Sequence, residues 1–201
     1  MKIAILFVIF QFSFAFAESN SPSDQVDQLI QENRASFRDA DPEKKLSLAR
    51  RIYDLRAGKA LCEYSRSQNE AFEKCLTSIL NPPEKKFAYK IMHRFDYASL
   101  CTQDKDMQKN IQKACLAESE KWASPRNDLN DQISRAELDY TPNRTTLKEI
   151  TKEGTNAFGY NDPKKKEGVA KIYNQYAPQF LKTSEDLLAS PSGKAPPLST
   201  K

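Results

Sequence analysis

The chain of 201 residues carries 31 Lys or Arg against 27 Asp or Glu, with four cysteines, one histidine and five glycines. A net charge of +4 is too small to argue for a nucleic-acid partner. With 29% of residues charged, helices bearing single apolar stripes are expected rather than elements buried all round.

The first element is a leader. Met1-Lys2 is followed by the apolar run Ile3 to Phe16 and by Ala15-Phe16-Ala17, the order of a secretory signal peptide cut after Ala17. Spanning a membrane takes ~20 predominantly apolar residues, and this shorter run contains Gln11 and Ser13, so an anchor fits less well. No cysteine near the cut suggests a lipoprotein. Residues 1–17 are therefore expected to be removed, leaving a net charge of +3, because they take Lys2 and no acid. The product is expected outside the cytoplasm, in the periplasm if the host is a Gram-negative bacterium, and it is not expected to span a membrane. Residues 18–188 form one all-helical domain in this reading, and residues 189–201 a flexible tail without apolar periodicity.

Few glycines and no long polar–apolar alternation point to an all-α fold, a compact multi-helix bundle. Helices are predicted over 23–37, 42–64, 68–80, 83–99, 104–122, 126–139, 144–152 and 163–188. The first has a stripe of Val26, Leu29, Ile30 and Phe37; the fifth has Met107, Ile111, Cys115 and Trp122. Small polar residues followed by proline mark helix entrances: Asp41-Pro42, Asn81-Pro82-Pro83, Ser124-Pro125, Thr141-Pro142 and Asp162-Pro163. The first residue of each pair can cap free N–H groups, and proline at the first helical position sacrifices no bond. Ser67 and Glu70 have capping-box spacing, and Gly58 and Pro178 are candidate breaks within helices.

The segments beginning PEKK at Pro42 and at Pro83 continue in parallel. Each has an aromatic before aspartate (Tyr53-Asp54, Phe95-Asp96), then Leu-Cys, then Cys-Leu. This suggests that 42–80 and 83–122 are duplicated helix hairpins, and Pro163 opens a fainter echo without cysteines. Prolines 42, 83, 125 and 163 recur at intervals of 41, 42 and 38 residues, a period that suits stacked helix pairs. In an oxidising compartment Cys62, Cys75, Cys101 and Cys115 read as two disulfides, since no spacing resembles a short zinc clip. Duplication favours Cys62 with Cys75 and Cys101 with Cys115, which requires a turn between the members of each pair. Joining equivalent positions, Cys62 to Cys101 and Cys75 to Cys115, is the alternative.

Signals of chemistry are weak. His93 is the one histidine, three residues before Asp96, and no nucleophile motif accompanies it. No catalytic, metal or cofactor residues are assigned. Two basic clusters are candidates for binding an anionic surface: Lys85, Lys86, Lys90 and Arg94 beside His93, and Lys164, Lys165, Lys166 and Lys171. Asn143 begins a glycosylation sequon. Tyr53, Phe95, Tyr173 and Tyr176 lie at helical spacing and are expected to pack in the core. The leading expectation is a non-catalytic module that binds a protein partner or an anionic surface. A carrier of a small apolar ligand is the first alternative and a hydrolase the second.

Overall fold

Three of the helix entrances begin with an oxygen that accepts from a free backbone N–H. Ser21 accepts from Asp24 N at 3.2 Å and starts α1, Pro22–Phe37; Asp41 accepts from Lys44 N at 3.0 Å and starts α2, Pro42–Cys62. Each cap contributes about 1 kcal/mol. A 3₁₀ turn at Glu63–Ser65 leads to α3, Asn69–Leu80. Asp96 caps the short α4, Tyr97–Thr102, by accepting from Ser99 N. Then follow α5, Lys109–Leu138, and α6, Pro163–Ala189. The computed structural model describes residues 21–81, 96–138 and 163–190, and among these no strand occurs. The leader, the cluster Lys85, Lys86, Lys90, His93 and Arg94, Asn143 and the helix predicted over 144–152 lie outside the described residues.

Several predicted boundaries are corrected. Ser124-Pro125 is not an entrance, because Pro125 lies inside α5 and the helices predicted over 104–122 and 126–139 are one. An interior proline costs roughly 3 kcal/mol. Burial of Cys115, Trp122, Leu129 and Ile133, which continue one stripe across the proline, outweighs it. Residues 104–108 instead form a turn in which the Asp104 side chain accepts from Asp106 N. Ser67 does not cap α3. The turn continues one residue further, with Gln68 N donating to Ser65 O at 2.9 Å, so Gln68 takes the cap position without a side-chain bond. Residues 97–99 begin a new helix rather than ending one. Gly58 and Pro178 interrupt neither α2 nor α6.

The expectation of single stripes fails for α2. Seven consecutive residues, Ile52, Tyr53, Asp54, Leu55, Arg56, Ala57 and Gly58, are all buried, because α1, α3, α4, α5 and α6 all pack against this helix. Gly58 is needed for that packing: a Cβ there would stand 2.7 Å from Ile79 Cγ2 on α3. Glycine within a helix costs about 1 kcal/mol relative to alanine, and here it allows two backbones to approach. The outer helices keep one buried side, as with Val26 and Ile30 on α1 or Cys75, Leu76 and Ile79 on α3.

Two disulfides complete the frame. Cys62–Cys75 joins the end of α2 to α3 across the 3₁₀ turn, and Cys101–Cys115 joins α4 to α5, with Cα separations of 5.6 and 5.7 Å. The pairing is local, and the pairing of equivalent positions does not occur. Each closed loop stabilises by about 3 kcal/mol on the chain-entropy estimate. The fold is thus an all-α bundle containing a tandem pair of disulfide-stapled helix hairpins. The two aspartates aligned by the repeat differ in their surroundings, since Asp54 is buried within α2 and Asp96 is an exposed cap.

Candidate functional site

Burying a carboxylate in the middle of a helix requires partners that restore what water supplied. Asp54 obtains them from two other helices. Arg126 of α5 donates from Nε to Oδ1 at 2.6 Å and from Nη2 to Oδ2 at 2.9 Å, and Tyr97 of α4 donates its hydroxyl to Oδ1 at 2.6 Å. The forked guanidinium matches the plane of the carboxylate, which favours arginine over lysine at this place. Beside this group Tyr53 donates to the Trp122 carbonyl at 2.7 Å. Its ring stands edge-on to Trp122 at 5.4 Å and to Phe180 of α6 at 5.9 Å. One patch of α2 therefore fixes α4, α5 and α6.

The electrostatics follow from the geometry. Burial opposes the charge on Arg126, but the bonds and charge of Asp54 outweigh it and hold the guanidinium above its ordinary range. Burial, then the charge of Asp54, pushes the Tyr97 phenol well up, and the same causes raise Tyr53. Both phenols remain protonated donors at neutral pH. Each oxygen of Asp54 is engaged, so this convergence joins helices rather than presenting an acid to a substrate.

A second buried cation does similar work. Arg56 donates to Ser184 Oγ at 2.6 Å and reaches Glu185 at 3.4 Å, while Arg34 of α1 meets the same carboxylate at 3.0 Å. Burial lowers the Arg56 guanidinium despite Glu185. Arg50 lies over the Phe180 ring, 5.7 Å from its centre, and Tyr173 donates to Glu137 nearby. Together these contacts tie α6 to α1, α2 and α5.

Of the predicted surface residues, Lys164 and Lys166 are exposed in the first turn of α6, and Lys165 belongs to the same turn. Lys171 is exposed and pairs with Glu167 at 2.8 Å. At about 100° per residue, Lys164 and Lys171 share a side of the helix while Lys166 is turned away. The predicted cluster is thus divided between two faces. Of the aromatics assigned to the core, Tyr53 is fully buried and Tyr173 and Tyr176 pack against it from partly buried positions; Phe95 lies outside the described residues. Asp96 bonds Ser99 in its cap role. Among the described residues, no three His, Cys, Asp or Glu side chains converge as metal ligation requires.

Sequence reasoning missed Arg126, Tyr97, Arg56 and Ser184, and treated Asp54 only as part of a repeat. A usable signal existed for Arg126: it lies four residues after Trp122 and three before Leu129, a charge on an apolar stripe.

The raised phenols carry a sign. An unfolded tyrosine ionises near pH 10, whereas Tyr53, Tyr97 and Tyr173 ionise only above that when folded. Their contribution is fully present below about pH 10 and is lost as pH climbs from there toward the folded values. Each can remove up to about 1.4 kcal/mol per pH unit within that window. Thermal unfolding followed above pH 10 is expected to show a shallower decline for Tyr97→Phe than for the parent; identical slopes would contradict the assignment.

No helix among the described residues is long and apolar enough to cross a membrane. Compared with known protein families, curated proteins and solved structures, the chain matches none.

Proposed function

We propose that the protein is a non-catalytic, extracytoplasmic interaction module, exported by its leader, that engages an anionic surface through the basic start of α6. The observation that carries this reading is the division of charge between inside and outside. Asp54, Arg126 and Arg56 are committed to joining helices, whereas Lys164 and Lys166 are exposed in the first turn of α6. Lysines in a first turn run against the helix dipole. Two disulfides are consistent with an oxidising compartment.

Binding of the leaderless protein to vesicles with and without anionic lipid, at low and physiological salt, tests the proposal. Each lysine near such a surface contributes about 1 kcal/mol, so Lys164→Ala with Lys166→Ala is expected to weaken binding by at least about tenfold. Binding should also fade as salt rises. Equal binding to neutral vesicles, or binding indifferent to salt, counts against it. If the parent but not the double variant retains a protein from native extracytoplasmic fluid, the same turn of α6 belongs to a protein partner instead.

A further inference from the structure

The two disulfides hold very different structures. Cys62–Cys75 joins helices of 21 and 12 residues that already meet closely where Gly58 faces Ile79. Cys101–Cys115 ties a helix of only six residues to the body. So short a helix does not persist by itself, because the cost of nucleation is not recovered in fewer than two turns. Its other attachments among the described residues include the buried Tyr97 and Leu100, the Tyr97 hydroxyl on Asp54 and a bond from Gln112 to the Cys101 carbonyl.

All four cysteines are at most 2% exposed, so a thiolate can attack either disulfide only after a local opening. Local openings are drawn from the least stable part of a fold. Undocking α4 moves only six residues and exposes the Tyr97 and Leu100 side chains. Freeing Cys62 or Cys75 requires α2 and α3 to part, and α2 is the helix around which everything else is packed.

We propose that Cys101–Cys115 is a redox-sensitive latch over the buried Asp54–Arg126 pair. A dithiol reductant attacks one sulfur through a thiolate, breaks the bond and forms a mixed disulfide. Its second thiol then displaces the protein, so that two electrons and two protons leave Cys101 and Cys115 as thiols and the reductant as a disulfide. Without its tether α4 undocks, the Tyr97 hydroxyl leaves Asp54, and a paired carboxylate and guanidinium face water on an otherwise intact bundle. The latch is independent of the anionic-surface reading, since none of its residues lies on the basic turn of α6.

The test is a titration of the native oxidised protein with dithiothreitol, with thiols trapped by alkylation and located by peptide mapping, while helix content is followed by circular dichroism. Cys101 and Cys115 are expected to be alkylated at least tenfold faster than Cys62 and Cys75, with helix content largely kept. Amide exchange in residues 97–102 should rise in step. Tyr97→Phe is expected to speed alkylation of Cys101 and Cys115 and to leave Cys62 and Cys75 unchanged. Earlier reaction of Cys62 and Cys75, simultaneous reaction of both pairs with loss of helix, or resistance of both until the chain unfolds would each overturn the latch.

Discussion

Replacing Arg126 with methionine is expected to destabilise the protein by about 3–5 kcal/mol, because it leaves the Asp54 carboxylate buried without its counter-charge. That is a large share of the roughly 5–15 kcal/mol by which a domain is stable. The pair and the hydroxyl above it act as one unit: both oxygens of Asp54 are held by Arg126, and Tyr97 shares Oδ1. The losses should therefore not add. A triple variant, Asp54→Leu with Arg126→Met and Tyr97→Phe, removes every member and leaves nothing charged behind. It is expected to recover most of the stability lost by Arg126→Met alone, since an apolar replacement of a buried ion pair is often neutral or better. Urea unfolding followed by circular dichroism measures both. A loss under about 1 kcal/mol for Arg126→Met, or a sum of independent losses for the triple variant, would show that the group is not a closed unit.

Phe180→Ala is expected to cost about 3–5 kcal/mol by the same measurement. The ring is fully buried, takes the edge of Tyr53 and lies beneath the Arg50 guanidinium. Truncation opens a cavity between α2 and α6 and removes both ring contacts. Among the described residues Arg50 Nε has no hydrogen-bond partner, and truncation takes away the ring beneath its guanidinium. Phe180→Leu keeps much of the volume and should cost less than half as much. If both substitutions cost the same, the ring contacts rather than the bulk of Phe180 carry the loss.

Features that depend on neighbours in the chain were legible in advance. Asp41-Pro42 opens a helix because the cap and the proline act within one turn. The local disulfides were favoured by the repeat, and the polar stretch between Cys62 and Cys75 supplies the turn that their Cα separation demands. What a dipeptide cannot report is whether a proline starts a helix or lies within one. Ser124-Pro125 looks like Asp41-Pro42, and only the stripe running from Cys115 through Trp122 to Ile133 tells them apart. The Asp54–Arg126 pair lay beyond local reading altogether, since its members are 72 residues apart and meet only through packing. The burial of α2 on every side had the same origin: a helix with Asp54 and Arg56 at its centre has the composition of a surface element until partners arrive to neutralise both. The basic cluster at Lys164 was visible as composition, but helical geometry divides it between two faces.

Each sulfur bond links cysteines that are consecutive along the chain, 13 and 14 positions apart. A polypeptide oxidised as it emerges from its amino end meets Cys62 and Cys75 before Cys101 appears, and it completes one staple before the next can compete. Of the three ways to join four cysteines, vectorial oxidation yields the native one first. A chain oxidised in that order is expected to need an oxidant but no isomerase to reshuffle its bonds.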